Sequence, residues 1–155
     1  MAATYYKRNI QVSEEEKVDF HVMIRQLNIH EAAFAGDYKA LRKALEDGQN
    51  PAHLDHTGST PIHKAASNGH TKCLLLLLEN GSKVNQLDVN KCTPAHLAAR
   101  NGHLQCIKSL YSKGADLFTK SCKGNTPKKM AKVGLHQPVV NFISRIENER
   151  IAWSI

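Results

Sequence analysis

The sequence lacks any apolar run long enough to cross a membrane. Its leucine run, Leu74–Leu78, is much shorter than the roughly 20 residues that a membrane-spanning helix needs. Residues 1–8 also lack the hydrophobic core of a secretory signal peptide. We therefore expect a cytoplasmic protein without membrane contact, with the nucleus as a second compartment.

Sequence motifs of catalysis are also missing. No H-E-x-x-H, G-x-S-x-G, Walker A or G-x-G-x-x-G pattern occurs, so no nucleophile with its base and no phosphate loop can be assigned. The chain has nine histidines, but several recur at one fixed spacing, which favours a structural role repeated in each unit. We expect no enzyme activity, no metal and no cofactor.

Cysteine is scarce, and its four copies show no C-x-x-C spacing that would indicate a zinc site. Cys73 and Cys106 recur at equivalent positions of a hydrophobic stretch, where packing in the core is expected. Cys92 and Cys122 fall in turn-forming segments and are expected to be exposed, reduced thiols.

Acidic residues are few in the second half of the chain. From Val89 to Ile146 there is one acidic residue against ten basic ones, whereas Ser13–Asp88 has eleven acidic and eight basic residues. The overall composition, 41% hydrophobic and 23% charged in 155 residues, is typical of one soluble globular domain. The basic half favours an acidic partner or a polyanion, although a solubilising surface explains it as well.

What the sequence does contain is one pattern written twice, 33 residues apart. Such a period indicates stacked structural repeats. The second copy repeats nine residues of the first: Thr60, Pro61, His63, Ala65, Ala66, Gly69, His70, Cys73 and Gly81 recur as Thr93, Pro94, His96, Ala98, Ala99, Gly102, His103, Cys106 and Gly114.

Each copy predicts two helices. Thr60 is a helix N-cap, Pro61 suits the first helical position, and Gly69 supplies a left-handed end to this first helix. The second helix, around Leu74–Leu78, is apolar on nearly every side and must be covered by the repeats before and after it. Gly81 ends the second helix.

The same spacing finds two weaker copies, so four repeats are predicted. The first copy retains His30, Ala32, Ala33, Gly36 and Gly48, and the fourth retains Gly124, Thr126, Pro127 and Ala131. Terminal repeats are expected to be atypical because one of their faces meets water. The predicted divisions are an N-terminal tail and capping helix, four repeats and a C-terminal tail, with bounds 1–27, 28–54, 55–87, 88–120, 121–143 and 144–155.

The two tails leave alternatives open. Ser13-Glu14-Glu15-Glu16 resembles a capping box, and Phe20, Met23, Ile24 and Leu27 follow on one helical face. This helix is expected to cover the open end of the first repeat, or alternatively to dock a partner. Trp153 is expected either to fold back onto the last repeat or to anchor a partner.

The wording T-P-x-H-x-A-A…G-H resembles the ankyrin repeat. The resemblance implies an all-α solenoid of helix-turn-helix repeats linked by β-hairpin loops. It also implies that His63 and His96, and His30 in the degraded first copy, hydrogen-bond the backbone of neighbouring hairpins. Lys91 stands where the sister copies have Gly58 and Gly124, so a positive φ there would be strained.

The resemblance further implies a binding scaffold that recognises a partner protein with its hairpins and the exposed side of its first helices. We expect a monomeric adaptor or stoichiometric inhibitor whose partner has an acidic patch. Leu54, Leu87 and Val89 are the expected apolar anchors, unless they are ordinary scattered surface residues. The alternative is binding of nucleic acid or another polyanion through the basic half, although no aromatic residue interleaves with its lysines. The expected contact residues are Phe34, Leu54, His56, Thr57, Ser59, Ser67, Asn68, Leu87, Val89, Asn90, Cys92, Arg100, Asn101, Lys120, Cys122, Lys123 and Asn125.

Overall fold

The computed structural model describes residues 29–154, and in that part of the chain it contains eight helices and no strand. The all-α prediction is confirmed. None of these helices is long and apolar enough to cross a membrane. The predicted helix around Phe20 lies outside the described residues. In chain order the helices are α1 (29–35), α2 (Tyr38–Glu46), α3 (Pro61–Ser67), α4 (Thr71–Glu79), α5 (Pro94–Arg100), α6 (Leu104–Ser112), α7 (Pro127–Val133) and α8 (Gln137–Trp153).

The helices form four pairs, and the first helices of the second to fourth pairs begin in the same way. Thr60, Thr93 and Thr126 are their N-caps with extended backbone, and a proline occupies the first helical position of each. The proline needs no hydrogen-bond acceptor at a position where a helical N–H has none. The short threonine–proline signal therefore sets the start of every complete repeat.

Paired alanines allow the helix pairs to stack closely. Ala65 and Ala66 on α3, like Ala98 and Ala99 on α5, are completely buried. Helix α3 contacts α5, and α5 contacts α7, while α4 contacts α6 and α6 contacts α8. The hydrophobic core runs between these two layers and contains the second-helix residues Leu74, Leu77, Ile107 and Leu110.

Helix α8 continues without a break into the segment predicted as a C-terminal tail. Ile143 and Ile146 are buried, and the guanidinium of Arg150 lies 4.4 Å from the ring centre of Phe118. Lys128 on α7 forms an ion pair with Glu147. Trp153 at the end of this helix is 90% exposed, so the alternative in which it folds back onto the last repeat is wrong.

Candidate functional site

Each of the three segments that connect the helix pairs contains a five-residue loop, which is closed by a backbone hydrogen bond between its first and last residues. The N–H groups of Asp55, Asp88 and Ser121 donate to the carbonyls of the residues four positions later, at 2.9, 3.0 and 2.9 Å. These are the predicted hairpins. We call them loop A (residues 55–59), loop B (88–92) and loop C (121–125).

Aspartate side chains hold the first two loops in shape. The Asp55 carboxylate accepts from the N–H groups of Thr57 and Ser59 at 2.8 and 3.0 Å, and it forms an ion pair with Lys64 at 2.9 Å. Partial burial alone would raise the pKa of Asp55, but these hydrogen bonds outweigh it and lower the pKa far below its usual range. Asp88 accepts in the same way from the N–H of Cys92 at 2.9 Å.

The three loops also contact one another. Val89 of loop B lies against Gly58 of loop A, and the Cys122 N–H of loop C donates to the Asn90 carbonyl of loop B at 2.9 Å. Gly58 has a φ of 68°, which glycine adopts without strain. The loops thus form one continuous row rather than three independent projections.

Two buried histidines fasten the helices to this row. The Nδ1 atoms of His63 and His96 lie 2.8 and 2.9 Å from the hydroxyls of their capping threonines. Their Nε2 atoms lie 3.1 and 3.0 Å from the carbonyls of Cys92 and Asn125 in the next loop, and because a carbonyl only accepts, Nε2 carries the proton. The predicted backbone bonds of these two histidines are confirmed. Burial lowers the pKa of both rings.

His30 differs from His63 and His96 in having a histidine as its side-chain partner. Its Nε2 lies 3.3 Å from Nδ1 of His53, and the His53 backbone also hydrogen-bonds the His30 ring. The first copy lacks the threonine–proline start, and the segment after α2 brings the His53 ring edge-on to His30, with ring centres 5.6 Å apart. The repeat that lacks the threonine–proline start therefore also differs in the side-chain contact of its histidine.

A second set of histidines joins the ends of the first helices. The Nε2 atoms of His70, His103 and His136 lie 3.0, 2.9 and 3.0 Å from the carbonyls of Phe34, Ser67 and Arg100, each in the preceding repeat. The sequence pattern revealed the shared register of His70 and His103 but neither this bond nor His136. Each of these histidine rings packs against a glycine of the preceding repeat. At Gly69, for example, a side chain would not fit, because its Cβ would fall 2.5 Å from Nδ1 of His103.

Asn68 and Asn101, which were predicted as recognition residues, take part in this fastening. Their side-chain amides donate to the carbonyls of Phe34 and Ser67 at 2.8 and 2.7 Å. The amide groups are therefore engaged within the array. Both copies carry asparagine here, and this identity was the available signal for a structural role.

Most of the other predicted contact residues are accessible. Phe34, Leu54, Leu87 and Val89 are large apolar residues with exposed side chains, and Val89 is 69% exposed. The polar members His56, Thr57, Asn90, Arg100, Lys120, Cys122 and Lys123 are exposed, and Ser59, Ser67 and Asn125 are partly buried. Loops B and C thus bring apolar and basic side chains into one row.

Cys92 is a correction, because it was expected to be an exposed thiol. It is 7% exposed, its thiol points toward the carbonyl of Asn90 at 3.9 Å, and burial raises its pKa. Cys92 is the last residue of loop B, and its carbonyl accepts a hydrogen bond from His63. Loop C packs against loop B through the hydrogen bond from Cys122 to Asn90. Its side chain therefore has little surface to offer a partner.

Two exposed apolar residues were missed. Val133, which is 79% exposed, stands in the register of Ser67 and Arg100, and Leu135, two residues later, is 89% exposed. The 33-residue spacing that selected Arg100 also leads to Val133. The signal was present but was not followed into the last repeat.

Lys91 has a φ of 54°, so its loop keeps the left-handed conformation of the equivalent Gly58 and Gly124. A non-glycine residue in this region costs roughly 1–3 kcal/mol. The residue that stacks on the equivalent Gly58 is the branched Val89, whereas 33 positions after Val89 the chain has the smaller Cys122. The extra Cβ at Lys91 is thus accompanied by a smaller residue in the next loop.

Among the described residues, no group of three or more histidine, cysteine or acidic side chains could hold a metal ion, and the four cysteines are free thiols. A family model for ankyrin repeats, in three copies, matches residues 29–121. The chain belongs to the ankyrin-repeat family.

Ankyrin repeats generally mediate protein–protein interaction and are generally non-enzymatic. The fourth helix pair of this ankyrin array, α7 and α8, follows the matched residues. No curated protein matches the chain.

Proposed function

We propose that the chain is a small adaptor or stoichiometric inhibitor that binds a partner protein through its inner face. The inner face is defined as loops A, B and C, the residues directly before them (Leu54, Leu87 and Lys120), and the exposed side of α1, α3, α5 and α7. The observation that supports this proposal most directly is the exposure of Leu87 and Val89, 44% and 69%, at the middle loop. Apolar side chains at the centre of a surface are typical binding anchors.

The rigidity of the inner face favours tight binding. Each loop is closed by its own hydrogen bond and tied to its neighbour through the Val89–Gly58 contact or the Cys122–Asn90 hydrogen bond. A surface that is already ordered loses little conformational entropy when a partner binds. The fastening histidines His63 and His96 therefore support binding indirectly, by holding the loops.

The charge of the inner face favours a partner with an acidic patch. Arg100 is exposed on α5, the helix after loop B, and Lys120 and Lys123 are exposed at loop C, the next loop. From Val89 to Ile146 the sequence has one acidic residue, Asp116, against ten basic residues. Such complementarity mainly raises the association rate and suppresses wrong partners.

The test is to identify a partner by affinity purification and mass spectrometry and then to measure its binding to a double variant, Leu87→Ala with Val89→Ala. We expect binding to weaken, with only a small fall in melting temperature from the loss of the Val89–Gly58 contact. A matched control is Tyr111→Ala on the second-helix layer, because Tyr111 is 42% exposed and Leu87 is 44% exposed. Equal binding by the double variant and the wild type would refute the assignment of the inner face.

Binding of a polyanion is the second candidate, and the ten basic residues against one acidic residue between Val89 and Ile146 favour it. Phosphate contacts release counterions, so such binding weakens steeply with salt. Titration of a labelled single-stranded oligonucleotide at two salt concentrations measures this directly. Lys120→Glu with Lys123→Glu should abolish oligonucleotide binding, whereas for a protein partner it should chiefly slow association.

A further inference from the structure

Leu135 ends the first helix of the fourth repeat at a position that favours glycine. The equivalent residues Gly36, Gly69 and Gly102 have φ angles of 75°, 76° and 78°, and Leu135 has a φ of 60°. A leucine is unfavourable there because its Cβ crowds the backbone in the left-handed region. Its side chain is also 89% exposed, so its apolar surface gains almost nothing from folding.

Val133 adds a second exposed apolar side chain two residues earlier. It is 79% exposed on the last turn of α7. Gly134 between them lies close to Arg100, because a Cβ on Gly134 would fall 2.8 Å from the Arg100 carbonyl oxygen. Val133 and Leu135, which we call the C-terminal patch, therefore lie beside Arg100 of the inner face.

The ending of the array explains other departures in α7 but not this pair. Lys129 stands where His96 is buried, and Lys132 stands where Ala99 is buried, and both lysines are exposed. Polar residues suit these positions, because no other repeat among the described residues covers them. The C-terminal patch differs from these lysines, because it exposes apolar side chains to water instead of polar ones.

The surroundings of the C-terminal patch are basic. Lys129, Lys132 and Arg100 are exposed, and the absence of acidic residues from Leu117 to Ile146 leaves their charge uncompensated in the local sequence. A ligand that covers the patch should therefore bring carboxylates with its apolar side chains. Nucleic acid would match the charge but would leave the two aliphatic side chains without an apolar partner.

We propose that the C-terminal patch is a second anchor site of the inner face and binds a protein segment in which a large apolar side chain is flanked by carboxylates. This inference rests on the proposed function, because it names the partner chemistry of the same face. A strained and exposed leucine in a position suited to glycine is expected where function outweighs stability.

The test uses one substitution with opposite effects on stability and binding. Short random peptides displayed on phage are selected on the full chain, and the enriched peptides are synthesised with a fluorophore and titrated. We expect the enriched peptides to combine leucine or phenylalanine with aspartate or glutamate. Leu135→Gly should weaken their binding about tenfold or more, which corresponds to about 1.4 kcal/mol, while its melting temperature equals or exceeds that of the wild type.

Ile151→Ala is the matched control, because Ile151 is an exposed aliphatic residue at the far end of α8, and it should bind the peptides like the wild type. The Leu87→Ala, Val89→Ala variant is titrated with the same peptides. If this variant loses binding and Leu135→Gly does not, the C-terminal patch is overturned and the proposed function stands. If neither loses binding, both fail.

Three other outcomes would also overturn the proposal. Enriched peptides without acidic residues would remove the proposed partner chemistry. A single-stranded oligonucleotide whose binding depends on Leu135 would assign the patch to a polyanion instead. Concentration-dependent association of the wild type, measured by light scattering and lost in Leu135→Gly, would assign the patch to a second copy of the chain.

Discussion

Val89 rests on Gly58 so closely that a Cβ on residue 58 would fall 2.1 Å from Val89 Cγ1. Gly58→Ala should therefore destabilise the fold by about 2 kcal/mol, through this collision and through the φ of 68°. The change is measured by urea denaturation.

Gly124→Ala provides the control for this prediction. Gly124 has a φ of 72°, but nothing lies within 4 Å of the position of its Cβ. Gly124→Ala should therefore lower the free energy of unfolding by only about 1 kcal/mol, which is the effect of the positive φ alone. If the two alanine variants are equally stable, the contact between the loops contributes nothing.

Replacing Lys91 by glycine should stabilise the protein. The substitution removes the strain of a side chain at a φ of 54°, and we expect a gain of about 1 kcal/mol in the free energy of unfolding. Lys91→Ala removes the same charge but keeps the Cβ, so it should give no such gain. A gain in both variants would point to charge rather than backbone strain.

The close stacking of the first helices predicts a large effect at Ala98, which is completely buried on α5. Ala98→Asp places an unpaired carboxylate between helices and should cost several kcal/mol. Thermal denaturation should show a clear drop in melting temperature. Ala152→Asp, on the exposed last turn of α8, introduces the same group and should leave the melting temperature within a degree or two of the wild type.

The buried histidines predict that stability falls in mild acid. Burial lowers the pKa of His63 and His96, so the unfolded chain takes up protons near the ordinary value of about 6.5 while the folded chain does not. Their contribution is fully present above that pH and declines as the pH falls below it.

Melting temperatures measured between about pH 7.5 and pH 5 test this prediction. A His63→Gln, His96→Gln variant should melt lower than the wild type at neutral pH but lose less on acidification. His56→Gln is the control, because it makes the same substitution at a histidine that is exposed in loop A. An equally steep decline in the double variant would assign the acid sensitivity to other groups.

The fold was predictable because its start and stop signals are local. Thr60, Pro61 and Gly69 act within a few residues of themselves, and their recurrence after 33 residues fixes the order of stacking. The hydrogen bonds of His63 and His96 to the next loop were predicted from the family resemblance, because both histidines belong to the recurring motif.

The errors concern contacts between repeats. Cys92 belongs to a turn, which suggests exposure, but the stacked loops bury it. The side-chain contact of His30 with His53 was missed because the equivalent positions of the next two repeats hold Gln86 and Thr119. Comparison of copies position by position treated Asn68 as free, although its amide reaches a carbonyl 34 residues back in the chain. Whether the predicted contact residues bind a partner stays a prediction.

The histidine fastenings have a consequence for how a partner could act on the molecule. The bonds from His70, His103 and His136 each reach only the preceding repeat, so the array is a chain of neighbouring links without a long-range brace among them. Such an array opens from its ends, and the last repeat, which carries the strain of Leu135, should detach first. A ligand that contacts both loop B and the fourth repeat would bind only while the fourth repeat is packed against the third. Its binding energy would therefore stabilise the fourth repeat in that packed position.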